Sequence, residues 1–211
     1  KNRDRVRQIA GGLAYSLFWQ GKASFDFGIS KQHYKKSIDF GDPALADPTT
    51  RDRPLLWNAG ASVALTNKLI VFGGMSRGQE DAIIAPDIAS NRAEAPPAIR
   101  TKQYEAGLRY AITPTLGLVL GGFSISKPYY NLDPAFRYRQ LGTLTNRGIE
   151  VSLTGQLAPG LSLVGGMLLL DPTISGEAVS SGLIGRHPVG QVQRRIAANL
   201  DWRSQGGKGP L

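Results

Sequence analysis

The segment from Lys102 to Lys127, KQYEAGLRYAITPTLGLVLGGFSISK, restricts the fold more than any other part of the 211-residue chain. In its first half Tyr104, Ala106, Leu108, Tyr110 and Ile112 alternate with Gln103, Glu105, Gly107, Arg109 and Ala111. Apolar residues at every second position line one face of a pleated strand and cannot be gathered into one helical stripe. Thr113, Pro114 and Thr115 then break the alternation. Proline has no amide hydrogen to give to a ladder and presets a turn dihedral, so the chain reverses there. The segment predicts two long strands joined by a tight turn.

The same pattern repeats along the chain. Ile9, Gly11, Leu13, Tyr15, Leu17 and Trp19 share one face of a strand from Arg7 to Trp19, and Gln20–Gly21 turns it into a second strand carrying Phe25, Phe27 and Ile29 and running to Lys36. Trp57, Ala59, Ala61, Val63 and Leu65 lead to a Thr66–Asn67 turn and a return strand from Lys68 to Ser76. Strands from Arg137 to Leu157 and Leu161 to Leu170 flank a turn at Ala158, Pro159 and Gly160, and a final strand runs from Gln191 to Arg203. The pattern predicts about nine strands. Between the hairpins lie longer, polar connections: Asp39 to Arg53, Gly78 to Arg100, a stretch through Tyr129, Tyr130, Asp133 and Pro134, and Asp171 to Val189.

Short and long connections therefore alternate, and a soluble sandwich has no reason to keep its long loops at one end. Several strands exceed the roughly 9 to 11 residues that cross a bilayer at a tilt, whereas soluble strands are commonly about 5 to 6 residues long. A hydrophobic fraction of 41% and a mean hydropathy of −0.18 are those of an ordinary soluble chain. A transmembrane barrel shows the same average, because lipid-facing and lumen-facing residues alternate. Trp19, Tyr110 and Trp202 near short turns, and Trp57, Tyr104 and Tyr138 nearer long loops, make two aromatic levels. The fold expected is all-β: an antiparallel transmembrane β-barrel segment of about nine strands from a larger barrel, with short periplasmic turns and long extracellular loops. On this reading the face of Tyr104 to Ile112 meets lipid, and Asp26, Glu105, Arg109, Arg147, Glu150 and Arg203 line the lumen.

The chain carries 25 Lys plus Arg against 16 Asp plus Glu, a net charge of +9. The cations are scattered over every segment rather than gathered on one element, which argues against nucleic acid as a partner. There is no cysteine for a disulfide or thiolate metal site. Glu105 and Glu150 lie on regular strands with no activated water or nucleophile marked nearby, so they do not read as a catalytic pair. His33 and His187 are too isolated for a metal cluster, and SGLIGRHPVG lacks the Gly-Lys-Ser/Thr of a phosphate loop. No enzyme activity, metal or cofactor is expected. Exposed rings and cations in the long connections, Arg92, Tyr129, Tyr130, Arg186 and His187, are the candidate ligand-binding residues, through stacking and charge in extracellular loops.

Four phrases in fixed order resemble the barrel of TonB-dependent outer-membrane receptors, particularly the ferric-siderophore type. FGGMSRGQED (Phe72 to Asp81) resembles the family's aromatic-small-small strand before a long loop, and KQYEAGLRY (Lys102 to Tyr110) its Gln-x-Glu-x-Gly-x-Lys/Arg strand. FSISKPY (Phe123 to Tyr129) resembles the Phe-x-Ile-x-Lys strand that follows, and NRGIEVSLTGQL (Asn146 to Leu157) the Arg-Gly-Ile/Val-Glu strand. The resemblance implies TonB-dependent uptake of a ferric siderophore or other metal chelate through the bacterial outer membrane. It implies as partners that chelate, a plug domain of the same full-length chain, a TonB complex engaged through an N-terminal region outside this sequence, and outer-membrane lipid. Such barrels close with about 22 strands around a plug, so residues 1–211 are expected to be a partial barrel domain, an interior fragment without plug or signal peptide. A passive porin or other outer-membrane barrel shares the alternation, and a soluble β-sheet binding module is the more distant alternative.

Overall fold

The structure, a computed structural model, describes residues 3–39, 41, 49–81 and 83–203. Ten strands follow in chain order: β1 (Arg3–Trp19), β2 (Ala23–Asp39), β3 (Thr49–Asp52), β4 (Leu55–Ala64), β5 (Leu69–Glu80), β6 (Ile99–Thr113), β7 (Leu116–Leu132), β8 (Tyr138–Ala158), β9 (Leu161–Ser175) and β10 (Arg194–Trp202). One four-residue helix, α1 (Glu177–Ser180), lies between β9 and β10. The strands form one sheet in the order β1-β2-β4-β5-β6-β7-β8-β9-β10, with β3 paired to β2 off this path. Every neighbouring pair is antiparallel. The nine strands of the path are those read from the alternation, and β3 is the addition.

Each short turn has a local reason. Lys22 donates its amide to the Trp19 carbonyl at 2.7 Å in the first. In the second, Thr66 Oγ1 accepts the amides of Lys68 and Leu69 at 3.1 and 3.0 Å. The turns at Pro114 and Pro159 each sit beside a register shift, between Ala111 and Thr113 and between Gln156 and Ala158. A bulge of this kind takes up an odd residue without turning the next stretch of strand inside out.

The sheet has no core along its middle. Among the described residues, the buried apolar side chains gather at the long-loop end, as Tyr34, Ile38, Ala85, Ala89, Leu141, Leu144 and Ile174. Towards the turn end large apolar groups are bare, with Leu13 80% and Trp19 71% exposed. Water would make such a face costly, and a lipid interior removes that cost.

Register assigns the two faces. Directly opposed residues lie on one side, so Ala59, Met75, Tyr104, Ser124 and Arg147 form one row. Asp26, Gly60, Gly74, Glu105, Phe123 and Gly148 form the row beside it on the other face. Arg147 therefore stands with Tyr104 on the apolar face, which corrects its expected place beside Glu105 and Glu150. The reason is parity: Glu150 is three steps along the strand from Arg147, and an odd step changes face.

The polar face is built of small residues under larger ones. A Cβ added at Gly107 would meet the Phe72 ring at 2.7 Å, and one at Gly148 the Phe123 ring at 2.6 Å. Each ring thus lies over a glycine of the neighbouring strand. The Arg109 guanidinium stands 5.2 Å from the Phe72 ring centre, a distance at which cation and π-face attract. Gly74 and Gly121 leave room for the stems of Glu105 and Glu150 in the same way.

All four expected long loops are partly strand: β5 reaches Glu80 and β6 starts at Ile99, so the Gly78 to Arg100 connection gives both its ends to the sheet, and β9 takes Asp171 to Ser175 because β8 extends to pair with them. The Asp39 to Arg53 connection contains β3, whose Thr50 and Arg51 oppose Lys36 and Lys35. β7 runs on through Tyr129 and Tyr130 to Leu132, because β8 extends far enough to pair with it across a shift between Tyr129 and Tyr130. Both tyrosines are strand residues, not loop residues.

Candidate ligand-capture site

About 9 to 11 residues of a tilted strand cross a bilayer. Counted from its turn end at Leu116, β7 has crossed by about Ser126, so Lys127 to Leu132 and the turn to β8 stand beyond the membrane. Lys127 Nζ pairs there with Glu80 Oε2 at 2.7 Å. The rings of Tyr130 and Tyr138 lie 5.9 Å apart, inclined at 34°, within the range of a favourable aromatic pair. Tyr129 Oη accepts a hydrogen bond from Asn131 Nδ2 at 2.8 Å.

The β7–β8 turn is held by Asp133. Its Oδ1 accepts the amides of Ala135 and Arg137 at 3.0 and 2.9 Å, and its Oδ2 receives Arg139 Nε at 2.7 Å. The Arg139 bond first, and the Arg137 amide second, hold the carboxyl below its ordinary value of 3.8. Phe136 at the tip has φ 55° and is 60% exposed. A bulky residue in the left-handed region costs on the order of 1 kcal/mol or more, and the clasp around it keeps it there.

The β5–β6 connection docks on this turn. Asn91 donates from Nδ2 to the Tyr138 carbonyl at 2.9 Å and accepts the Tyr138 amide at Oδ1 at 2.8 Å. Ser90 donates its amide to the Phe136 carbonyl at 2.8 Å. Ala85, Ala89, Ala93 and Ala98 are buried in the connection. Arg92, exposed, follows the residue that bonds the Tyr138 peptide.

Arg186 and His187 belong elsewhere. The Arg186 carbonyl accepts the Ile174 amide at 2.7 Å, and His187 Nδ1 lies 3.1 Å from the Pro172 carbonyl. Both are tied to β9, two strands or about 10 Å from β7. Asn91, beside Arg92, is tied to the Tyr138 peptide, and the Tyr138 ring packs on that of Tyr130, with Tyr129 on the same strand, whereas Arg186 and His187 are tied to β9. Asn91, Phe136 and the Asp133–Arg139 clasp are site residues that sequence reasoning missed; the Asp133-Pro134 dipeptide marks a turn, and nothing in the sequence marks Asn91. Among the described residues no group of three His, Cys, Asp or Glu side chains is placed to hold a metal ion.

Residues 2–209 match the family described as TonB dependent receptor-like, beta-barrel. The chain belongs to that family. Members of this barrel family are transport receptors rather than enzymes and reside in the outer membrane of Gram-negative bacteria, so the face of Tyr104 meets lipid and that of Glu105 meets the lumen. Solved relatives include the ferric preacinetobactin receptor BauA from Acinetobacter baumannii, with TM-score 0.75 and 27% identity over 97% of this chain and 31% of that one. The ferric-catecholate import receptor Fiu from E. coli K12 superimposes with TM-score 0.74 and 16% identity over 97% of this chain and 33% of that one. The ferripyoverdine receptor of the outer membrane of Pseudomonas aeruginosa does so with TM-score 0.73 and 16% identity over 97% of this chain and 27% of that one. The chain thus spans about a third of the length of these receptors. No curated protein matches by sequence alone.

Proposed function

We propose that the chain is part of the barrel wall of a receptor that imports ferric siderophores or similar metal chelates with energy supplied through TonB. The observation that carries this reading is the station of Arg92, Phe136, Tyr130 and Tyr138 at the loop end, on a segment that superimposes over 97% of its length on a ferric preacinetobactin receptor. An anionic, ring-bearing chelate is held there by guanidinium charge and by stacking. Arg92, Tyr129 and Tyr130 form one set of contacts, and Arg186 with His187 a second about 10 Å along the same rim. Residues 1–211 supply barrel only, and a plug from another part of the same polypeptide closes the lumen and answers to TonB. The Glu105, Arg109 and Glu150 side chains on the lumenal face offer that plug charged partners.

The test is uptake of iron-labelled chelates by iron-starved cells with and without the full-length receptor. One class of chelate is expected to enter only when the receptor is present and the membrane energised. Arg92→Ala combined with Tyr130→Ala should lower that uptake about tenfold or more at equal receptor level. Equal uptake of every chelate with and without the receptor rejects the substrate class, and uptake that survives loss of energisation returns the barrel to a passive channel.

A further inference from the structure

At its loop end the sheet comes apart around the tip of β5 and β6. The β4–β5 ladder ends at Trp57 and Arg77, and the β6–β7 ladder ends at Lys102 and Ser126. Gly78, Gln79 and Glu80 oppose Thr101, Arg100 and Ile99, so these six residues make a two-stranded tip outside both neighbouring ladders. Among the described residues, three ion pairs fasten it to the strands on either side. Lys127 Nζ of β7 meets Glu80 Oε2 at 2.7 Å, Lys36 Nζ of β2 meets Asp81 Oδ2 at 3.0 Å, and Arg100 Nη2 meets Asp52 Oδ1 of β3 at 2.8 Å. Each of these bonds reaches past an intervening strand.

The two sides of each pair differ in how they are held. Lys127 stands on β7, which keeps its ladder with β8 as far as Leu132, and Lys36 stands on β2, which keeps its ladder with β1 as far as Asp39. Glu80 and Asp81 ride on the tip. The cations are therefore fixed and the carboxylates can leave, and Glu80, with its side chain 45% exposed, returns to water at little cost. The Asp52–Arg100 pair has the reverse polarity, with the carboxylate fixed on β3 and the cation on the tip. An anion arriving from outside competes for the lysines and leaves that pair in place.

Lys127 and Glu80 face the lumen. Lys127 lies an even number of steps from Phe123 on β7, and Glu80 an even number from Gly74 on β5, with no register shift between. Tyr129, two residues beyond Lys127, shares that face. A cation and a ring thus stand together where the lumen opens to the outside, and the carboxylate on the cation belongs to the chain itself. We propose that Lys127, with Tyr129, is a seat for an anionic group of the imported chelate, and that Glu80 occupies this seat until the chelate displaces it and frees the β5–β6 tip on its β7 side. The class of ligand rests on the import reading above, whereas the exchange of Glu80 for an outside anion does not. Glu80 then sets affinity by competition: whatever its bond to Lys127 contributes to holding the tip is subtracted from the binding of the anion.

The full-length receptor in detergent tests this by hydrogen exchange across residues 78–101 and by titration with a triply anionic ferric tris-catecholate and with the cationic ferric hydroxamate ferrioxamine. Without ligand, Glu80→Gln should speed exchange of the tip about threefold, the measure of one exposed ion pair. It should bind the anionic chelate tighter by about the same factor and leave ferrioxamine unchanged. Lys127→Gln should also speed exchange but weaken the anionic chelate about tenfold, Lys127→Arg should retain it, and Asp201→Asn at the turn end should change nothing. In the wild type the bound anionic chelate should itself speed exchange of the tip. Slower exchange on binding overturns the proposal, as does wild-type exchange in Glu80→Gln. Wild-type affinity in Lys127→Gln overturns the seat and leaves the import reading standing. If neither chelate binds the wild-type receptor the import reading fails, and citrate at constant ionic strength decides the seat: faster exchange of the tip in wild type but not in Lys127→Gln supports it, and no change overturns it.

Discussion

Replacing Asn91 by alanine should release the β5–β6 connection from the barrel rim without disturbing the strands. Its side chain gives the Tyr138 peptide two hydrogen bonds, at 2.9 and 2.8 Å, which a ladder would otherwise supply. Each neutral bond contributes about 1 kcal/mol net, and a part-buried amide and carbonyl left without partners add to the loss, so local opening should become easier by about 2 kcal/mol or more. That corresponds to a roughly thirtyfold loss of protection for the Tyr138 amide. Hydrogen exchange on the full-length receptor reads this directly, with the Gly107 and Val151 amides in mid-strand as unaffected controls. Asn91→Asp keeps the acceptor for the Tyr138 amide but sets a carboxylate against its carbonyl, and should fall between the two. Unchanged exchange at Tyr138 in Asn91→Ala would show that the connection is held by its buried alanines instead, and would remove the link between the Arg92 segment and Tyr138.

Gly107→Val should destabilise the barrel by about 1 to 3 kcal/mol, because the new side chain meets the Leu120 carbonyl first and the Phe72 ring next; Phe72→Ala in the same chain should recover the smaller part of the loss in thermal unfolding, and full recovery would mean the carbonyl contact costs nothing. The Asp133 carboxyl is held below 3.8, so its hold on the β7–β8 turn is fully present above that value and disappears as pH falls through the lower folded value. Pepsin should therefore cut the turn in Asp133→Asn faster than in wild type at about pH 5, with the difference shrinking as the pH is taken progressively below 3.8; equal cutting at the higher pH would leave the clasp without a role.

The alternation from Tyr104 to Ile112, the break at Pro114 and their repeats fixed the hairpins, their turn ends and the lipid-facing side, because strand period and turn chemistry are properties of a few neighbouring residues. The four phrases from Phe72 to Leu157 carried the family for the same reason. Beyond the apolar band that signal fades: Lys127 to Leu132 and Thr49 to Asp52 have little apolar contrast, so the extension of β7 past Tyr130 and the existence of β3 followed only from what β8 and β2 offered as partners. Parity put Arg147 on the outer face, a placement that could have been counted along the strand, whereas the pairing of Glu80 with Lys127 needed the order of three strands. The link of the Arg92 segment to Tyr138, apart from Arg186 and His187, came from hydrogen bonds between segments 47 residues apart. What the sequence determined by itself was the periodic wall; the tertiary structure alone decided which loops meet and which charges face one another, because pairing between distant segments has no local period to announce it.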